Sequence, residues 1–101
     1  MDGARGRASV VFASATKLNP LELLVTDTAS DGQHARIRLQ VNSTSLNTSW
    51  VKAVGYGDDA SVKGPWGPGM RIDRVRIEVC RYNGDVRKDC AWSQWQMSPW
   101  A

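Results

Sequence analysis

The sequence has little of the chemistry that catalysis or metal binding requires. It contains one histidine, His34, and two cysteines, Cys80 and Cys90. Zinc would need more ligands than these, and a thiol nucleophile would need a basic partner, whereas His34 lies in a distant, turn-like segment. We find no Ser-His-Asp arrangement around His34 and no glycine-rich phosphate loop that opens a helix. The sequence therefore predicts no enzyme, no metal and no cofactor.

Long apolar runs are also missing. The longest, residues 10–13 and 21–25, have the length of a β-strand, whereas a membrane-spanning helix needs about 20 apolar residues. The 101 residues fit one domain. The net charge is +3, with 13 basic and 10 acidic residues mixed along the chain. Because there is no basic cluster, nucleic acid is a poor candidate partner.

Apolar and polar residues alternate along most of the chain, and no helical period of about 3.6 residues is sustained. The clearest segment is 35–41, where small or apolar residues alternate with Arg36, Arg38 and Gln40. Segments 9–16, 21–25, 50–54, 72–82 and 88–96 also predict strands. The fold class is therefore all-β. The pattern favours a small antiparallel β-sandwich of about six to seven strands over a small barrel.

Turn-forming residues set the expected boundaries. Asn19-Pro20 predicts a break in the chain, and Asp31-Gly32 predicts a hairpin. Residues 64–69, rich in proline and glycine, predict irregular structure. Residues 1–8 are assigned to a flexible N-terminal arm and residues 9–101 to the single β-sandwich domain.

The two cysteines flank a polar segment with an Asn83-Gly84-Asp85 turn signal. A hairpin there brings Cys80 and Cys90 within bonding range and predicts a disulfide, hence an oxidising, secreted setting. Residues 1–7 lack the apolar stretch of a signal peptide. We interpret the chain as a mature form with an added initiator methionine, or as one with a misassigned start.

Tryptophan is unusually abundant, with five residues against one phenylalanine. Trp50 begins a predicted strand and is expected in the core, as is Trp92. Trp66 lies in the Pro/Gly segment, and either core packing or exposure suits it. Trp92 and Trp95 would face opposite sides of a regular strand. Exposed tryptophans suit sugar stacking or a protein hot spot, which makes Trp66, Trp95 and Trp100 candidate binding residues.

Arginines form the second candidate group. Arg36 and Arg38 share one strand face, as do Arg74 and Arg76, and neighbouring strands would join them into a basic stripe. The alternative is a solvated face on which the arginines pair with Glu78 and other acids. The aspartates Asp27, Asp31, Asp58 and Asp59 fit turn roles better than a calcium site.

Residues 27–39 resemble a pattern in small secreted proteins of Streptomyces and related actinobacteria. In that pattern an aspartate precedes Asp-Gly, one or two His or Ala residues follow, and an alternating Arg/apolar strand comes next. Residues 75–81 and 90–92 resemble the same group's C-terminal strand pair, so the similarity spans about residues 20–96. Some members resemble the small adaptor subunit of umbrella toxin particles, which joins a trypsin-like lectin subunit to repeat-built spokes.

The resemblance implies an adaptor between a lectin-like or protease-like subunit and a repeat-rich toxin subunit. The N-terminal arm is then expected to enter a cleft of the protease-like partner, with Arg5 or Arg7 as anchor. We therefore predict a non-enzymatic, secreted protein-interaction module. The alternatives are a carbohydrate- or cell-wall-binding module that uses exposed tryptophans, and a small antibacterial or inhibitor protein that acts through a Trp/Arg surface.

Overall fold

A computed structural model describes residues 3–29, 32–43 and 46–100. Within these ranges the chain forms strands and connections only, and no helix has the length and apolar character that a membrane span requires. The eight strands are β1 (Ala4–Ser14), β2 (Lys17–Asp27), β3 (His34–Val41), β4 (Val51–Ala53), β5 (Asp59–Trp66), β6 (Arg74–Asn83), β7 (Val86–Trp92) and β8 (Gln96–Met97).

The strands form two antiparallel sheets. The three-stranded sheet has the order β1-β2-β5, and the five-stranded sheet has the order β4-β3-β6-β7, with β8 also pairing with β6. The predicted all-β sandwich is confirmed. It has more strands than expected because β5 and the short β8 were not recognised as separate strands in the alternation pattern.

The core lies between the two sheets and is built by alternate residues of their strands. Leu23 and Val25 of β2 face Ile37 and Leu39 of β3, and all four are at most 1% exposed. The sheets approach closely at Gly6, where a Cβ atom would lie 2.5 Å from Val79 Cγ2. The inward residues predicted for the strand around Val75, Ile77 and Val79 are confirmed.

The predicted N-terminal arm is wrong from Ala4 onward, while Met1 and Asp2 lie outside the described residues. Ala4–Ser14 is an eleven-residue strand, and it pairs with β2 from Ala4↔Asp27 to Ser14↔Lys17. The segment pairs because its inward residues are small enough to fit beneath the opposite sheet. Gly6, which opposes Val25, is the clearest case.

Two turn predictions also need correction. Asp31-Gly32 does not close a hairpin, because β2 and β3 belong to different sheets; Asp31 itself lies outside the described residues. Asn19-Pro20 does not break the chain, because β2 continues through a register shift between Leu18 and Leu21.

The Pro/Gly segment is more regular than expected. β5 runs through Gly64 and Pro65 to Trp66, which opposes Leu18 of β2. Proline is tolerated there because β5 is an edge strand and needs ladder donors on one side only.

The C-terminal hairpin and its disulfide are confirmed. β6 and β7 turn at Gly84, and Cys80 and Cys90 are direct cross-strand partners whose Cα atoms are 4.1 Å apart. The bridge lies on the outer face of the five-stranded sheet, as the alternation predicts. It is covered more than expected, since Cys80 is fully buried.

Candidate binding surfaces

The outer face of the five-stranded sheet brings the four predicted arginines together. β3 and β6 are neighbours, with Arg36 opposite Cys80, Arg38 opposite Glu78 and Gln40 opposite Arg76. Arg36, Arg38, Arg74 and Arg76 therefore share one face, as the stripe hypothesis requires.

Each of these guanidinium groups stacks on an aromatic ring. Four distances from a guanidinium carbon to a ring centroid fall between 3.8 and 4.5 Å: Arg36 over Tyr82, Arg38 over Trp50, and Arg74 and Arg76 over Trp95. Trp92 adds a longer contact with Arg76 at 5.9 Å. We call these four arginines and four rings the cation–aromatic layer; such contacts contribute more where water is excluded.

Glu78 is the acidic centre of this layer and is 1% exposed. Its Oε1 accepts a 2.6 Å hydrogen bond from Arg38 Nε, and its Oε2 accepts a 2.9 Å bond from the indole of Trp92. Arg87 lies 3.5 Å from the same Oε2. Because one carboxylate satisfies three donors, removing it would leave buried or half-buried polar groups unpaired.

The arginine contacts decide between the two sequence interpretations. Arg38 pairs with Glu78, and Arg76 donates a 2.7 Å bond to Gln40 Oε1. Arg36 is 8% exposed, and its Nη2 donates to the Gly84 carbonyl at 3.3 Å. These guanidinium groups are committed to intramolecular partners, so the face is a second packed layer and not an open basic stripe.

Two tryptophan predictions are wrong. Trp50 lies outside the core, where it meets Tyr82 edge-on with ring centroids 5.8 Å apart. Trp92 is 48% exposed. Trp92 and Trp95 reach the same arginine, Arg76, because β7 ends at Trp92 and the alternation of a regular strand stops there.

One open side of the sandwich carries a groove of about 590 Å³ between the edges of β4 and β5. Trp50 and Trp66 line it, with Val62 and Lys63 from β5 and Ser49 from the segment before β4. We call this the tryptophan groove. Trp66 fits both sequence interpretations, since it is half-buried against the core and also lines the groove.

The other open side carries a groove along the edge of β1. Two adjoining pockets of about 690 and 400 Å³ share Ile77 and Ser93 and together follow β1 from Gly3 to Val10. Their far wall is residues 91–94 together with Gln96, and we call the whole the β1 groove. Sequence reasoning missed it, although Ala4, Gly6 and Ala8 already alternate with polar residues there.

Arg5 and Arg7 lie on β1, exposed on the outer face of the three-stranded sheet. They oppose Thr26 and Leu24 of β2 and have no ion pair within the described part of the chain. They are not carried on a flexible arm, so insertion into a partner's cleft from such an arm is no longer an option for them.

Trp100 is 53% exposed, as a binding residue would be, but it also has a structural role. Its indole donates a 2.8 Å hydrogen bond to the Phe12 carbonyl, and its own carbonyl accepts from Arg71 at 3.2 Å. Trp100 thus fastens the C-terminal segment to the far end of β1.

His34 lies at the start of β3, where its Nε2 accepts a 2.8 Å hydrogen bond from Arg36 Nε. Burial lowers the pKa of His34, and the positive charges of Arg36 and Lys52 lower it further, against the raising effects of Asp27 and Asp85. The neutral imidazole is therefore favoured in the fold, with its accepting nitrogen occupied.

Metal-ligating side chains converge within 4.8 Å at one place in the described ranges, namely Glu78, Cys80 and Cys90. The two sulfurs are bonded to each other, so neither is a thiolate ligand. Asp27 is buried and accepts from the Ala29 amide, and Asp59 accepts from the Thr26 hydroxyl at 2.6 Å, which are turn and cross-strand roles.

Comparison with models of protein families, with curated proteins and with solved structures gives no match for this chain. The functional argument therefore depends on the geometry described above.

Proposed function

We propose that this chain is a non-enzymatic, secreted protein-interaction module that joins two partner proteins. The observation that supports the proposal is the pair of grooves on the two open sides of the sandwich, each beside an edge strand. A strand edge offers unpaired backbone donors and acceptors, and an adjacent groove offers pockets for alternate side chains. One such site is sufficient for a binder, whereas an adaptor needs two.

The two grooves are arranged so that both can be filled together. β1 and β5 are the opposite edges of the three-stranded sheet, with β2 between them. A chain bound along β1 therefore extends the sheet in one direction, and a chain in the tryptophan groove lies beyond the other edge. The resemblance to toxin adaptors suggests a lectin-like or protease-like subunit and a repeat-rich subunit as the partners.

Site-specific photocrosslinking tests the two-partner proposal. A benzophenone amino acid would replace Val62 in the tryptophan groove or Ser93 in the β1 groove, and the folded variants would be exposed to secreted proteins of the producing organism. We expect each position to capture a different protein. Val86, which is exposed in the β6–β7 hairpin and lines neither groove, is the control position. Capture of one protein from both positions, or none above the Val86 control, would contradict an adaptor.

A glycan-binding module is the second candidate, favoured by the two indole rings in the tryptophan groove. Planar rings stack on sugar faces, and Ser49 and Lys63 add polar groups to the same walls. Binding on a glycan array that disappears in Trp66→Ala and persists in Trp100→Ala would favour this candidate. Trp100 suits as a control because it is an exposed tryptophan outside the groove.

A further inference from the structure

The exposed sheet edges differ in length and protection. β4 has three residues, and β5 carries Pro65 near its end. β7 has seven residues, with Arg87, Lys88 and Asp89 in succession. β1 has eleven residues and contains neither proline nor lysine. Natural sheets protect exposed edges by shortness, proline and charge, so β1 stands out as the edge that is open to pairing.

The five-stranded sheet extends beyond the three-stranded sheet on this side. Ala91 opposes Val79 and so belongs to the inner face of β7, yet it is exposed, because no strand lies next to β1 to cover it. The β1 groove is the resulting space. A fourth strand added beside β1 would cover Ala91 and fill the groove.

The residues of β1 suit such a neighbour. Ala4, Gly6 and Ala8 face inward and are small, which leaves the groove open for larger side chains of an added strand. Arg5 and Arg7 face outward without an ion pair in the portion of the chain described here. The free stretch ends near Phe12, whose carbonyl is taken by Trp100. Residues 4–10 span about 23 Å at about 3.3 Å per residue.

We infer that the edge of β1 receives a β-strand of a partner protein whose outward side chains are acidic and whose inward side chains are apolar. The acidic residues would lie across from Arg5 and Arg7 as cross-strand pairs. The apolar residues would enter the β1 groove over Ile77 and Ala91. This inference deepens the proposed function, because it identifies the kind of partner that one of the two grooves accepts.

Charge argues against a second copy of this chain as the occupant. Antiparallel pairing of β1 with itself places Arg5 and Arg7 of both copies on one face, with arginines opposite or diagonal to one another in every register that keeps the small residues inward. Like charges in such positions destabilise a sheet. The same two arginines that disfavour self-pairing favour an acidic strand.

Peptide binding to the full chain tests the inference. The probe is a synthetic nine-residue peptide in which Glu alternates with Val, and the comparison peptide has Lys in place of each Glu. We expect the Glu peptide to bind at least tenfold more tightly at low salt, measured by calorimetry. Hydrogen exchange should slow in β1 amides and remain unchanged in β5. Equal affinity for the two peptides, or protection outside β1, would overturn the inference.

Charge reversal provides the matched variants. The double variant Arg5→Glu/Arg7→Glu should reverse the peptide preference, since both substitutions lie on an exposed face away from the core. Lys63→Glu reverses a charge on the outer face of β5, the opposite edge of the same sheet, and should leave the preference unchanged. A double variant that keeps the wild-type preference would overturn the role given to the arginines.

Filling the groove separates shape from charge. Ala91→Trp places a large side chain in the space meant for the partner, and we expect about a tenfold loss of affinity for the Glu peptide without loss of thermal stability. Unchanged affinity would overturn the role of the groove. A dimer in light scattering that Arg7→Glu does not weaken would instead indicate a second copy as the occupant.

These outcomes are distinct from those of the crosslinking experiment. Failure of the Glu peptide together with crosslinks from Ser93 would overturn strand addition and leave the adaptor proposal standing. Binding of the peptide without any crosslink would overturn the adaptor proposal alone.

Discussion

The outer faces of the two sheets carry the same kinds of residues but use them differently. On the five-stranded sheet, Arg38 is held by Glu78 and by the Trp50 ring. On the three-stranded sheet, Arg5 and Arg7 stand next to Thr26 and Leu24 and make no ion pair among the residues described. The composition of a face therefore does not identify a binding surface. Its cross-strand neighbours decide whether an arginine is a structural group or is free for a partner.

The five-stranded sheet is consequently packed on both faces. Its inner face contributes to the core, and its outer face forms the cation–aromatic layer with the disulfide beneath it. The three-stranded sheet is packed on its inner face only. Substitutions on the two outer faces should therefore differ in their cost, and the following predictions test that difference.

Glu78 gives the largest expected contrast. Glu78→Ala should lower the free energy of unfolding by about 3 kcal/mol, because a buried carboxylate is removed from Arg38 and the Trp92 indole. Glu22→Ala on the outer face of the three-stranded sheet should cost less than about 0.5 kcal/mol. Urea unfolding measures both. Glu78→Gln, which keeps the acceptor but not the charge, should fall between them, and equal midpoints for the two alanine variants would contradict the contrast.

The disulfide should come next. Closing a loop of about 11 residues stabilises the fold by about 2–3 kcal/mol on the chain-entropy model. Cys80→Ala/Cys90→Ala should lower stability by that amount and loosen the β6–β7 corner while the β-sheet circular dichroism persists. Complete loss of that signal on reduction at room temperature would show that the bridge determines the fold and does more than support it.

Gly6 tests where the three-stranded sheet is sensitive. A Cβ there would lie 2.5 Å from Val79 and 2.9 Å from Ile37, so Gly6→Ala should cost about 2 kcal/mol. Gly64→Ala in β5 is the matched control, because no atom lies within 4 Å of the added Cβ. If the two variants melt together, the close approach of the sheets at β1 is not as described, and the shape of the β1 groove is not either.

Trp95 tests the cation–aromatic layer itself. Its ring lies under Arg74 and Arg76, at 4.1 and 4.5 Å from the two guanidinium carbons. Trp95→Leu keeps an apolar side chain but removes the aromatic face, and should cost about 1 kcal/mol. Arg7→Ala, which removes an arginine without an aromatic partner, should stay within about 0.5 kcal/mol of the wild type. A larger loss in Arg7→Ala than in Trp95→Leu would invert the comparison.

The same comparison explains what the sequence could predict. Alternation placed Arg36, Arg38 and Glu78 on one face, because side-chain direction in a strand is a local property. The layer on that face depends on Trp50, Tyr82 and Trp95, which come from separate parts of the chain. Their meeting is set by strand order, which alternation does not encode. β1 was missed for another reason: its inward residues are Ala and Gly, so it lacks the apolar signal by which strands are recognised.

The smallest expected effect is a pH dependence at the end of the five-stranded sheet. The pKa of His34 is lowered in the fold, chiefly by burial and then by Arg36, so the folded state binds fewer protons than the unfolded state near the ordinary pKa of about 6.5. This contribution to stability is present above that pH and is lost as the pH falls through it, when protonation also removes the acceptor for Arg36 Nε. Urea midpoints should decrease slightly from pH 7.5 to 5.5, and His34→Gln, which retains an acceptor but does not titrate, should flatten the slope. Because carboxylates titrate mainly below this range, equal slopes in the wild type and the variant would mean that His34 is not the group responsible.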